Sequence, residues 1–199
     1  MNFLKIKNFL LLFLIIFSYL ISVVKTYAVD ITADRTISSS SDGDQYNIKT
    51  NNDIDVIVTN NSTLERNQKI FNVSAASLTG SSITIHLGSS VIAETNSIFS
   101  NGAELTITNT GTIEATNSKA INVSNSDGVS ITNNNNGVIK SNNNTILGDA
   151  GTGADNVTID NSGEIYTTAT GTESSAIVFA NNDTGNTITN NSGGEIYSS

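Results

Sequence analysis

The sequence predicts an all-β fold: a parallel β-helix, or β-solenoid, of about five turns with about 26 residues per turn. The first observation is a recurring motif, and the second is the alternation of apolar and polar residues inside it, which is typical of β-strands. No segment between the copies has helical periodicity. The copies are LTITNTGTIEA at 105–115, VSITNNNNGVIKS at 129–141, VTIDNSGEIYT at 157–167 and NTITNNSGGEIYS at 186–198.

Two isoleucines recur in every copy of the motif, and their spacing sets the length of a turn. Equivalent strands of a solenoid lie ~4.8 Å apart, parallel and in register, so like residues stack on like. Antiparallel hairpins place no such demand on the sequence. The first isoleucines are Ile107, Ile131, Ile159 and Ile188, at intervals of 24, 28 and 29 residues, and the second are Ile113, Ile139, Ile165 and Ile196, at intervals of 26, 26 and 31.

An asparagine follows two residues after each first isoleucine, and a glycine comes two to four residues later. Stacked asparagines can hydrogen-bond amide to amide along the axis, and asparagine tolerates left-handed backbone at a corner. We expect the glycines to adopt positive φ at the same corner. The asparagines are Asn109, Asn133, Asn161 and Asn190, and the glycines are Gly111, Gly137, Gly163 and Gly194.

A third strand per turn is predicted between the motifs. KAINVSN at 119–125 and SAIVFAN at 175–181 carry the signal, and 145–147 is a weaker copy. The connecting turns are too short for crossover helices, which favours three-sided turns over βαβ units.

Upstream, the repeat becomes irregular. SITIHLGSSVIAETNSIFS at 82–100 predicts one more turn, and DIDVIVTNN at 53–61 with KIFNVSA at 69–75 predicts another. Val29–Thr50 is less regular, and we interpret it as an N-terminal cap over the open end of the solenoid. The predicted organisation is a signal peptide at 1–28, a cap and first irregular turn at 29–80, and β-helix repeats at 81–199.

The N-terminus predicts a cleaved, helical signal peptide. Lys5 and Lys7 precede the apolar run Phe9–Val24, and Thr26-Tyr27-Ala28 supplies a cleavage site. The alternative is an uncleaved signal anchor, which the 16-residue run disfavours because spanning a bilayer takes ~20 apolar residues. At the C-terminal end, Ser199 directly follows the residues that predict the second strand of a turn, with no third strand after them. We therefore expect a C-terminally truncated fragment of a longer protein.

Charge and composition exclude several kinds of partner. Cleavage after Ala28 removes three lysines and no acid, which changes the net charge from −9 to −12. Such a chain is not expected to bind nucleic acid or anionic lipid through charge. The absence of cysteine excludes disulfides and a lipid-modified N-terminal cysteine.

The sequence predicts no catalytic or metal-ligating residues. His86 alternates outward in ITIHL, and without a second histidine or a cysteine it does not predict a metal site. Glu114, Lys140 and Glu164 are expected to form a solvated ladder on an outer face rather than a catalytic cluster. GDAGTGAD at 148–155 predicts a corner loop rather than a weak calcium site, since it lacks tandem calcium-binding nonapeptides. We therefore predict no enzyme activity and no cofactor.

Two tyrosines are the remaining candidates. Tyr166 and Tyr197 follow Ile165 and Ile196 at equivalent outward positions. Stacked exposed tyrosines offer rigid area with a polar tip, which suits a binding stripe, although ordinary cross-strand packing explains them equally well.

The motifs also carry a resemblance. ITNTGTIEA, VTIDNSGEI and SKAINVSN resemble passenger repeats of bacterial autotransporters, the type V secreted surface proteins, over about 83–199, and the asparagine-rich, proline-free style is similar to rickettsial surface cell antigen passengers. The resemblance implies a right-handed parallel β-helix, export through the Sec pathway and display at the outer membrane through a C-terminal β-barrel. No barrel segment is present in these residues, so outer-membrane attachment would need one supplied.

The function expected from the resemblance is adhesion. An exported or surface-displayed passenger would contact a host or cell-surface protein or glycan, and a truncated product would stay in the periplasm. The alternatives are a non-functional remnant of a split autotransporter gene and, less favoured, a polysaccharide-acting β-helix enzyme.

Overall fold

The computed structural model describes residues 28–49, 53–59, 61–74, 79–102, 104–148, 153–170 and 174–198. The predicted signal peptide lies outside these residues except for Ala28. Within the described ranges all regular secondary structure is β, with no helix. Accordingly, this part of the chain contains no helix that is long and apolar enough to cross a membrane.

Three parallel sheets of seven strands each make up the fold, and the strands are numbered in chain order. The first sheet contains β1 (Ala28–Ile31), β4 (Gln45–Ile48), β7 (Phe71–Val73), β10 (Ile98–Ser100), β13 (Ile121–Asn122), β16 (Ile146–Leu147) and β19 (Ile177–Val178). The second contains β2 (Arg35–Ile37), β5 (Asp55–Val58), β8 (Ser81–Ile85), β11 (Leu105–Asn109), β14 (Ser130–Asn133), β17 (Thr158–Asn161) and β20 (Thr187–Asn190). The third contains β3 (Ser41–Asp42), β6 (Thr63–Arg66), β9 (Ser90–Ala93), β12 (Thr112–Ala115), β15 (Val138–Ser141), β18 (Glu164–Thr167) and β21 (Glu195–Ser198).

Every turn of the chain adds one strand to each sheet, which is the architecture of a parallel β-solenoid. The predicted register holds, since Ile107 pairs with Ile83 on one side and Ile131 on the other. The predicted fold class is therefore confirmed, with about five turns of about 26 residues in the regular part from Ser81 to Ser198. The segment interpreted as a cap supplies β1 to β4 to the same three sheets.

Stacked apolar side chains fill the interior of the solenoid. In β11, Leu105 and Ile107 are buried whereas Thr106 is exposed, as alternation predicts. Each fully buried isoleucine contributes roughly 1.5–3 kcal/mol. The last turn is the exception, because Ile188 in β20 keeps 48% of its surface exposed.

The four glycines at the corner serve a different purpose from the one predicted. The expectation of positive φ is wrong for Gly111, Gly137, Gly163 and Gly194, none of which is among the residues with positive φ. A Cβ on Gly163 would instead lie 2.2 Å from the carbonyl oxygen of Gly137 in the preceding turn. The glycines are needed because successive turns approach closely there.

The asparagine column likewise does not use left-handed backbone. Positive φ occurs elsewhere, at Asp53, Asn61, Asn125 and Asn156. The column asparagines end extended strands of the second sheet, with Asn109, Asn133 and Asn161 fully buried.

Candidate functional site

The outer face of the third sheet holds the most distinctive side chains of the surface. Because strand residues alternate, burial of Ile165 and partial burial of Ile196 turn Tyr166 and Tyr197 outward. The register then aligns four outward residues of successive turns in one column. That column, the outer column, consists of Glu114, Lys140, Tyr166 and Tyr197.

The two tyrosines of the outer column stack face to face. Their ring centroids lie 4.9 Å apart and the ring planes differ by 3°. The separation matches the spacing of neighbouring strands, so the parallel register holds the rings together. Tyr197 is 40% exposed, which leaves a rigid apolar surface with phenolic oxygens at its margin.

The charged half of the outer column is an ion pair. Lys140 Nζ lies 3.0 Å from Glu114 Oε2, and both side chains are partly exposed. Such a pair near the surface contributes at most about 1 kcal/mol. The pair matters more for the surface it forms, because it holds one positive and one negative group at defined positions beside the tyrosines.

The predicted ladder of Glu114, Lys140 and Glu164 is wrong in its last member. Lys140 pairs with Tyr166, whereas Glu164 pairs with Val138 in the neighbouring column. Glu164 and Glu195 stack on each other there, so like charges are neighbours instead of alternating. The reason is register: Glu164 precedes the aligned isoleucine of its strand, whereas Glu114 follows it.

These carboxylates act on the exposed tyrosine. Partial desolvation raises the pKa of Tyr197, and the nearby charges of Glu164, Tyr166 and Glu195 raise it further. The Tyr197 hydroxyl also lies 3.5 Å from Glu164 Oε2 as a weak hydrogen-bond donor. The face around the tyrosines is therefore acidic and carries hydrogen-bond acceptors next to the aromatic surface.

A small cavity of about 150 Å³ opens at the end of the ion pair. It lies where the third sheet turns towards the first, and Lys140, Ser141, Asn142 and Thr168 contribute to its lining. This volume is below the ~300 Å³ at which small-molecule pockets usually begin. We therefore regard it as a polar depression beside the outer column and not as a separate ligand pocket.

The remaining candidates do not form a reactive cluster. His86 is exposed just after β8, and its Nδ1 lies 3.5 Å from Thr59 Oγ1. Among the described residues, no group of three or more His, Cys, Asp or Glu is placed to hold a metal ion. The predicted corner loop at 148–155 falls partly outside the described residues, at 149–152.

Sequence reasoning found the tyrosine stack but missed a second concave surface. This groove is lined by Gln45, Gln68, Lys69, Asn72 and Thr95, which come from three successive passes of one corner. No motif connects these residues in the sequence. The only available signal was their position just before or within the first-sheet strands of consecutive turns.

Comparison of the chain with known protein families, curated proteins and solved structures identified no relative. No family model matches the chain, and no curated protein or solved structure matches it.

Proposed function

We propose that this protein is an exported or surface-displayed autotransporter-like passenger that acts by binding rather than by catalysis. Its partner would be a host or cell-surface protein or glycan, contacted along the outer strand faces. The β-solenoid fold supports this proposal because it is the fold that the motif resemblance implies. It is also a fold that offers extended, regular surfaces for contact.

The stack of Tyr166 and Tyr197 is the observation that carries the proposal. Exposed aromatic rings, held rigidly, are the groups that most often dominate binding surfaces. Here the rings lie parallel at 4.9 Å, next to the Glu114–Lys140 ion pair. A flat aromatic surface bordered by charged and hydroxyl groups suits a polar partner with apolar patches, such as a glycan or a protein surface.

The proposal is tested by measuring binding of the purified protein to arrayed cell-surface glycans and to intact cells. We expect saturable binding that falls about tenfold or more in the double variant Tyr166→Ala/Tyr197→Ala, since such aromatic contacts each contribute over 1 kcal/mol. Thr106→Ala is the matched control, because Thr106 is exposed on the outer face of the second sheet. Equal binding by the double variant and the wild type would refute a role for the stack.

Export and display need a separate measurement. An antibody against the solenoid should stain intact producing cells, and external protease should remove the signal. Protein confined to the periplasm or degraded there would favour the split-gene remnant instead. Release of reducing ends from an acidic polysaccharide by the purified protein would favour the enzyme alternative.

A further inference from the structure

The groove missed by sequence reasoning, here named the corner groove, has the size of a small-molecule site. It lies where the chain passes from the third sheet to the first, and this open groove has a volume of about 470 Å³. Ligand pockets typically measure about 300–1,000 Å³. Its lining residues are all polar or charged: Gln45, Gln68, Lys69, Asn72 and Thr95.

Lys69 gives the corner groove a positive charge, and no described carboxylate forms a salt bridge with it. The two salt bridges among the described residues, Lys49–Asp30 and Lys140–Glu114, lie elsewhere. The Lys69 ammonium instead rests 3.4 Å from the centroid of the Phe99 ring. This cation–π contact holds the ammonium in place while leaving its N–H donors available.

A second cation lies in contact with the groove. Arg66 is only 8% exposed, and its Nη1 donates to the carbonyl oxygen of Lys69 at 2.7 Å and to Gln45 Oε1. Its Nε is buried with no hydrogen-bond partner among the described residues. Asp44 acts on Arg66 through its charge but forms no salt bridge with it in that part of the chain. Burying a guanidinium this way is costly unless an anion compensates it.

The other lining groups offer hydrogen bonds to neutral polar atoms. Asn72 Nδ2 donates to Asn47 Oδ1 at 3.2 Å. The side chains of Gln68 and Thr95 make no hydrogen bond to other described residues. Amides and a hydroxyl both donate and accept, which is the chemistry that recognises sugar hydroxyls.

We propose that the corner groove binds an acidic sugar, a hydroxylated pyranose that carries one carboxylate. The carboxylate pairs with Lys69 Nζ, and the ring hydroxyls hydrogen-bond to Gln68, Asn72 and Thr95. A single fixed ammonium suits one carboxylate, whereas a polyanion such as nucleic acid would meet the −12 charge of the chain after Ala28. The tyrosines of the outer column take no part, so this site is independent of the proposed function.

The test uses the purified protein and saturation-transfer NMR titrations with N-acetylneuraminic acid, glucuronic acid and neutral glucose. We expect binding of at least one of the acids and none of glucose at the same concentration. Comparing the two acids distinguishes a sialylated source from a uronate-containing one. In Lys69→Met the affinity should fall about tenfold or more, because a charge-assisted hydrogen bond is lost.

Lys119→Met is the matched control. Lys119 and Lys69 occupy equivalent positions two turns apart, because each lies two residues before the first-sheet strand residue that pairs with Ile98. Only Lys69 of the two lines the groove. Substitution of Lys119 should leave the affinity unchanged. Circular dichroism spectra and urea midpoints matching the wild type would show that both variants fold. Equal affinity in Lys69→Met and wild type, glucose binding as tight as the acids, or no binding of either acid would each overturn the proposal.

Discussion

Asn109 donates a hydrogen bond of 2.8 Å from Nδ2 to Oδ1 of Asn133, one turn further along the solenoid. The same contact repeats from Asn133 to Asn161 and from Asn161 to Asn190, each at 2.8 Å. Every Nδ2 in these contacts also donates to backbone carbonyl oxygens nearby. The ladder therefore satisfies side-chain and corner backbone groups together, and its first three members, Asn109, Asn133 and Asn161, are fully buried.

Replacing Asn133 by alanine should lower the free energy of unfolding by about 2–3 kcal/mol. The substitution removes the acceptor for Asn109, the donor for Asn161 and the bond to the Gly137 carbonyl oxygen, and buried unsatisfied groups cost about 1–3 kcal/mol each. Urea denaturation followed by circular dichroism measures the change. Asn190→Ala is the control from the same column, because Asn190 is exposed and should cost below ~1 kcal/mol. Equal losses in both variants would contradict a ladder that gains its strength from burial.

The isoleucine column of the second sheet allows a similar comparison. Ile131 is fully buried, whereas Ile188, in the same column, is 48% exposed. Ile131→Ala should destabilise the fold by about 2–5 kcal/mol, because it removes buried surface and leaves a cavity. Ile188→Ala should cost less than about 1 kcal/mol. If chemical denaturation gave equal changes, the two side chains would not differ in packing as described.

A third prediction concerns the closely approached corner. A Cβ on Gly163 would lie 2.2 Å from the carbonyl oxygen of Gly137, so Gly163→Ala must push neighbouring turns apart. We expect a loss of at least about 3 kcal/mol or failure to fold, judged by thermal unfolding and yield of soluble protein. Gly193→Ala is the comparison: Gly193 has φ +89° but nothing lies within 4 Å of its Cβ position. Its cost should be limited to backbone strain, about 1–2 kcal/mol. A mild effect at Gly163 would count against close contact of the turns.

Much of the fold was predictable because, in a solenoid, the same types of residue recur in the sequence once per turn. The pairing of Ile107 with Ile131 and the stacking of Asn109 on Asn133 follow from aligning the motif on itself. Each residue meets its own counterpart in the next turn, so local spacing gives long-range contacts. The stacked position of Tyr166 and Tyr197 followed from the same alignment.

The features that could not be predicted depend on distances between turns, or on contacts between residues that occupy different positions in their turns. Glycine is required at position 163 because the backbone of the preceding turn lies too close for a side chain, and no residue pattern in the sequence indicates this distance. The column of Glu164 was misassigned because a strand presents two outward positions, one on each side of the buried isoleucine, and Glu164 precedes its isoleucine whereas Glu114 follows. The corner groove assembles side chains from different positions of successive turns, such as Gln45 and Thr95, which share no recurring motif.

The acidity of the tyrosine face leads to a prediction about pH. Because desolvation and neighbouring negative charge raise the pKa of Tyr197, its phenolate should form above the ordinary value of about 10. Spectrophotometric titration of the wild type against Tyr197→Phe identifies its contribution. Glu164→Gln should lower this pKa, since it removes the negative charge and leaves only a neutral amide oxygen to accept from the phenol. Glu65→Gln, on an exposed position of the same sheet several turns away, should not.

The sign of the linked stability effect follows from the direction of the shift. A pKa raised in the folded state means that folding favours the protonated phenol, so the contribution of Tyr197 is complete below about pH 10 and is lost as the pH rises through the folded-state pKa. Urea midpoints of the wild type should therefore fall more than those of Tyr197→Phe across this alkaline range. Parallel midpoints for the two proteins would show that Tyr197 titrates alike in the folded and unfolded chains. The carboxylates around the stack would then exert no field on it, and the face would be less acidic than the geometry of Glu164 and Glu195 requires.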